Sequence, residues 1–299
     1  MGSKKLTFSV FTIDQIVVDV TNLKIANNLS EALVKSGKIR DRMMKLSDDD
    51  NKDSDFISSY KLRPNGLIFG SFLRLRGSSE SFLSVDDLEK NEIEINEVIR
   101  EASENSAGTV RDSAFFAIRD NLLVLTSAHS NKKAFLTYLR WLGREFGFGS
   151  NFDFNPVYNK TKEIPVKEIR SIQLADTYIN SKLQSESFKL KNEVVKSLFS
   201  DVKSLAEYDW ESIVSATLLV KLKKSELKKQ EALNAAMRLT DSEDVVIVGK
   251  NGKRIKGSDF VVKVEKRIES TENGMFNVPE IEGVMHDIIN AVKAGEVVF

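Results

Sequence analysis

Ser113-Ala114-Phe115-Phe116-Ala117-Ile118-Arg119-Asp120-Asn121-Leu122-Leu123-Val124-Leu125-Thr126 holds two short apolar runs joined by a polar Arg119-Asp120-Asn121 turn. Asp and Asn tolerate the backbone conformations of tight turns, so the stretch predicts a β-hairpin. Ser130 stands where an N-cap would. Phe135, Leu139, Leu142 and Phe146 follow on one helical face, and Gly147 and Gly149 end the helix.

On the N-terminal side, Leu6, Phe8 and Val10 alternate with Thr7 and Ser9 as in a half-buried strand. Leu29, Leu33, Ile39 and Met43 keep helix-like spacing, with a break at Gly37. Leu67 to Leu75 predicts a strand, and Glu92 to Ile99 another, from the alternation of Ile93 and Ile95. Residues 150–165, with Pro156 and Pro165, read as a loop and as the domain boundary. Beyond them, Val166 to Leu174 and Ile213 to Leu222 predict strands, and Asn192 to Leu205 and Ser225 to Leu239 helices. Val245 to Gly249, the pair Asn251-Gly252, and Lys253 to Lys256 give the strongest short-range hairpin signal. Phe260 to Ile268 alternates as a strand, and Ile281 to Val292 closes the chain as a helix. Strands, helices and hairpins in this order predict an α+β fold with mixed or antiparallel sheets and packed helices. At 299 residues the chain suits a two-part architecture. The expected parts are an N-terminal α+β domain, 1–160, and a C-terminal α+β domain, 161–299.

Composition narrows the chemistry. No cysteine is present, which removes disulfides, thiol nucleophiles and cysteine zinc sites. No apolar run reaches the roughly 18–20 residues of a membrane span. The opening Met1 to Leu6 has no secretory apolar core, and Leu6 breaks the myristoylation pattern. The expectation is a soluble, cytoplasmic protein.

Residues 47–55 form an acidic loop that lacks the Gly and Glu an EF-hand requires. Gly249-Lys250-Asn251-Gly252-Lys253-Arg254 has the wrong spacing for a P-loop, and Gly143, Gly147 and Gly149 follow a helix instead of preceding one. His129 and His286, the only histidines, have no carboxylate at metal-ligand spacing. Restriction-type nucleases separate a catalytic Glu and Lys by one residue, whereas Glu265 and Lys266 are adjacent and fall on opposite faces of a strand. Asp14/Asp19 and Asp86/Asp87 have no recognisable partner. The expectation is no catalytic residue, no metal and no cofactor.

Charge is distributed unevenly in a chain whose net charge is zero. Residues 216–270 carry a local +5 and residues 41–110 a local −6. Lys221, Lys223, Lys224, Lys228, Lys229, Lys250, Lys253, Arg254 and Lys256 all fall in the basic region. Lys221 and Lys223 share one face of the expected strand, and Lys224 and Lys228 are neighbours one helical turn apart. Few aromatics interleave with them, which favours backbone contact with duplex DNA over stacking on single strands. These nine residues are the candidate DNA-binding set. A metal-dependent nuclease, or a protein-interaction component whose basic face serves solubility, are the rival readings.

The start Phe8-Ser9-Val10-Phe11, the hairpin-then-helix from Ala114 to Gly143, the basic stretch Ile213 to Lys229 and the hairpin Val245 to Ile255 come in a telling order. That order resembles the RexA-like phage-exclusion proteins of lambda-type prophages and, more distantly, the RdgC-like recombination-associated proteins. Residues 47–55 and 146–154 have no counterpart. The resemblance implies a non-enzymatic homodimer that binds double-stranded DNA with little sequence preference in phage exclusion or a related antiviral defence. An unidentified effector protein is a further partner it leaves open.

Overall fold

The computed structural model describes residues 2–15, 25–46, 53–76, 83, 85–104, 109–126, 129–157, 168–174, 218–221, 245–256, 261–271 and 275–295. Its strands are β1 (Ser3–Gln15), β2 (Met44–Lys45), β3 (Ser54–Leu62), β4 (Leu67–Arg76), β5 (Thr109–Arg119), β6 (Leu122–Thr126) and β7 (Phe152–Pro156). They continue with β8 (Ile169–Leu174), β9 (Leu218–Lys221), β10 (Val245–Gly249), β11 (Arg254–Lys256) and β12 (Lys263–Glu269). The helices are α1 (Ile25–Ser36), α2 (Val85–Glu89), α3 (Ile95–Glu104), α4 (His129–Glu145) and α5 (Val278–Lys293), with a 3-10 turn at Ile39–Arg42. The fold is α+β, as the sequence predicts.

The hairpin at residues 113–126 is the centre of an eight-stranded sheet. Its order is β12-β1-β6-β5-β4-β3-β2, with β7 also paired to β1. The β5–β6 register places Arg119 opposite Leu122, and Asp120 turns the chain with φ 54°. The same turn serves two other elements. Its Asn121 carbonyl accepts from the Ile13 N–H at 2.8 Å. The Asn121 side-chain oxygen and the Asp120 carbonyl accept from Ile25 N–H and Ala26 N–H, donors that the first turn of α1 would otherwise leave unpaired.

Apolar rings fill both faces of this sheet. On one, Phe135 of α4 meets Phe72 at 5.2 Å and Phe116 at 4.9 Å between centroids, and Phe154 joins at 6.1 Å. On the other, Phe115 stacks on Phe69 and takes the edge of Phe276, just ahead of α5, at 5.3 Å. Ile281, Met285, Ile288 and Ile289 of α5 are buried. Each aromatic contact adds about 0.5–1.5 kcal/mol beyond the area it buries.

An arginine lies inside this unit. Arg42 is fully buried and donates through Nε to the Ile57 carbonyl at 2.7 Å, and through its terminal nitrogens to Ser36 Oγ and the Asn91 carbonyl. Burial pulls its pKa below the ordinary arginine value, opposed by Tyr138 and Tyr60. The Tyr138 hydroxyl donates to the Arg42 carbonyl at 2.8 Å and accepts from the Ile57 N–H. The 3-10 turn, β3 and α4 are thus joined by polar bonds within an apolar interior.

Ser54 and Asp55 of the expected acidic loop are buried in β3, and α4 begins at His129, ahead of the expected cap Ser130. Three further departures concern larger parts of the chain. Residues 95–104 are helix, not strand, because Ile95 and Val98, three apart, are the positions that bury. Residues 152–156 are strand, not loop, because Phe152 and Phe154 alternate into the core. The third concerns the domains. One compact unit comprises Met1–Phe154 with Lys263–Val297, and the other Asn155–Val262. The expected C-terminal domain 161–299 therefore yields its last strand and helix to the N-terminal unit. The cause is the open edge of β1, which pairs with β12 from Ser3↔Glu269 to Ser9↔Lys263 and so buries Val264 and Ile268. The expected helices 192–205 and 225–239, and residues 47–52 of the acidic loop, lie outside the described residues.

Gly70 on β4 sits under the ring of Phe116, its cross-strand partner. A Cβ there would come within 2.7 Å of Phe116 Cζ and of the Ser59 carbonyl oxygen. Gly70→Ala is expected to cost about 1–3 kcal/mol through overpacking. Urea unfolding should show a lower midpoint at unchanged slope.

Candidate nucleic-acid interface

Within the second unit the described strands form a four-stranded antiparallel sheet in the order β11-β10-β8-β9. Ile172, Ile247 and Ile255 face one another across three strands, and Ile172 and Ile247 are fully buried. Because successive residues alternate between faces, the residues on either side of that row belong to the opposite face. One of these rows runs Lys221–Ser171–Val248–Arg254, and the next runs Leu219–Gln173–Val246–Lys256. The register therefore puts positions 221, 254 and 256 in adjacent rows of one sheet, with 221 and 254 at opposite ends, roughly 14 Å apart.

The β10–β11 turn carries the remaining described cations. Gly252 N–H bonds to the Gly249 carbonyl at 3.0 Å, Gly249 N–H bonds to the Lys253 carbonyl at 2.8 Å, and Gly252 has φ 80°. This is a three-residue loop with glycine in the left-handed position. Asn251 caps it from within, accepting from the Lys253 N–H at 3.0 Å. Lys250, Lys253, Arg254 and Lys256 are all exposed.

Lys250 and Arg254 each have a close partner. Lys250 Nζ lies 3.5 Å from a Glu168 carboxylate oxygen, and its N–H bonds to the Glu168 carbonyl. Arg254 donates to the side-chain oxygen of Gln173, which holds the guanidinium along the sheet. Glu168 and Gln173 were not among the sequence candidates. They reach the hairpin through strand register, which local spacing does not reveal. Lys223, Lys224, Lys228 and Lys229 lie outside the described residues, as does the side chain of Lys221.

The groups considered for chemistry fall elsewhere. Glu265 and Lys266 are successive residues of β12, and Glu265 pairs with Lys5 at 2.7 Å. His286, on α5, is within hydrogen-bond distance of Asn290. Asp87 pairs with Lys90 at 2.6 Å. Among the described residues no three His, Asp or Glu side chains are grouped to hold a metal ion, and no helix is long and apolar enough to cross a membrane. Comparison with models of known protein families gives no match, and neither does comparison with curated proteins.

Gly252 has open space where a Cβ would go, so a side chain there meets only the backbone penalty. Gly252→Ala is expected to cost about 1–2 kcal/mol. The amides of Gly249 and Gly252 should then exchange with solvent roughly five- to thirty-fold faster.

Proposed function

We propose that the chain binds double-stranded DNA through phosphate contacts, with little sequence preference, and that it serves in phage exclusion or a related antiviral defence. The observation that carries the DNA reading is the β10–β11 hairpin. It exposes Lys250, Lys253, Arg254 and Lys256 within seven consecutive residues. Cations of this kind meet phosphate oxygens and release condensed counterions, which gives affinity without reading sequence. Supporting it, Lys221 lies in the same cross-strand row as Arg254, so the basic positions extend across the sheet. The defence role follows from the resemblance to the RexA-like proteins, and so does a further effector partner.

Glu168 partly offsets the charge of Lys250. Gln173 positions Arg254.

A random-sequence duplex of about 30 base pairs should bind at about 50 mM salt and be released steeply by about 200 mM. Reversing charge at Lys253, Arg254 and Lys256 together should weaken binding to all sequences alike and flatten the salt slope by about 2–3. Glu168→Gln should tighten binding by releasing Lys250. Fluorescence anisotropy across salt measures all three. Absence of binding at low salt, or a triple variant with wild-type affinity, overturns the assignment. Shortening of the DNA with magnesium would point to a nuclease instead.

A further inference from the structure

Strand β12 is the last strand on its side of the eight-stranded sheet, and among the described residues nothing pairs with its outer edge. Ser270 N–H bonds inward to the Gly2 carbonyl, while Glu269 N–H points the other way and is taken by Glu280 of α5 at 2.9 Å. By the alternation of an antiparallel ladder, Lys263, Glu265 and Arg267 direct their backbone N–H and C=O groups outward. Such an edge is a template for another strand unless something blunts it.

Its sequence is Lys263-Val264-Glu265-Lys266-Arg267-Ile268-Glu269. An antiparallel copy of the strand, related by a two-fold axis through Lys266, sets Glu265 opposite Arg267, Lys263 opposite Glu269, and Val264 opposite Ile268. Every pair but the central one is complementary. Moving the axis to Glu265 sets Glu265 against itself and Lys263 against Arg267. Moving it to Arg267 sets Arg267 against itself and Glu265 against Glu269. An axis at Val264 or Ile268 also opposes unlike charges but pairs only three residues of the strand. Like charges directly opposite destabilise a strand pair and opposite charges stabilise it, so charge and length of overlap together favour the register centred on Lys266.

We propose that two copies of this chain associate through β12, edge to edge and antiparallel, with Lys266 on the two-fold axis. Glu265 of one protomer and Arg267 of the other exchange both backbone bonds and pair their side chains. The two sheets become one, and because the axis is perpendicular to the sheet, α5 lies on the same side in both protomers. Lys266 meets its own copy and is the one like-charged contact. Glu280, by occupying Glu269 N–H, limits pairing at the ends of the strand. The inference stands on the edge alone and does not rest on DNA binding.

Sedimentation equilibrium of the full chain over about 1–100 µM tests it. A dimer is expected. Glu265→Arg or Arg267→Glu alone should raise the dimer Kd by about tenfold or more, since each creates two like-charged pairs. The double variant restores opposite charges and should recover the wild-type Kd. Lys266→Gln should tighten the dimer. Lys5→Gln removes the bond within the protomer to Glu265 but should leave association unchanged, and Arg267→Ala serves if Arg267→Glu fails to fold by circular dichroism. A monomer throughout the range, or a dimer that both single reversals leave intact, overturns the proposal.

Discussion

Strand β1 is hydrogen-bonded along both edges, and the N-terminal unit is organised around that fact. Through Phe8–Thr12 it pairs with β6, and through Ser3–Ser9 with β12. At Phe8 and Ser9 it therefore has partners on both sides. A strand so placed has no exposed backbone to satisfy over those residues, and its apolar side chains supply both faces of the core. Phe11 meets Phe154 on the α4 side, while Lys4 lies 4.5 Å above the ring of Phe276 on the α5 side. The helices differ in sequence position by more than a hundred residues, yet one strand sets the surface on which both pack.

The same constraint explains the placing of the second unit. Since β1 takes its partners from residues 122–126, 152–156 and 263–269, the second unit, Asn155–Val262, is an insertion in the chain of the first. Its two ends meet, for Val262 N–H bonds to the Val157 carbonyl at 2.8 Å. The basic hairpin is thereby held on a sheet of its own, whose register is set by Ile172, Ile247 and Ile255 and not by the large aromatic core. The exposed cations of that hairpin can vary without disturbing the packing around Phe135.

What the sequence reveals follows from range. The hairpin at 113–126, the helix after it and the turn at Asn251-Gly252 are local signals and all three form, although the helix begins at His129, ahead of the expected cap Ser130. Even there the turn has three residues and not two, with only Gly252 in the left-handed region, because Asn251 uses its side chain to hold Lys253 N–H. Residues 92–99 misled because Ile93 and Ile95 alternate, while the burial that decides, Ile95 with Val98, has helical spacing. The partner of Lys250 and that of Arg254 were illegible, since Glu168 and Gln173 arrive through register with β8, some eighty residues away. Arg42 gave no signal at all. Nothing local marks an arginine that ends in a core, bonded to carbonyls and a serine.

The pairing of β1 with β12 has a consequence for how the protein is made. A ribosome adding about 5–20 residues per second needs on the order of ten to fifty seconds to travel from Ser9 to Lys263. Throughout that interval the emerging chain carries Leu6 and Phe8 on a strand with one side still open, the condition in which neighbouring nascent chains stick together. Slow translation would lengthen the exposure, and yield at high expression should fall for this reason before any defect of the finished molecule is felt.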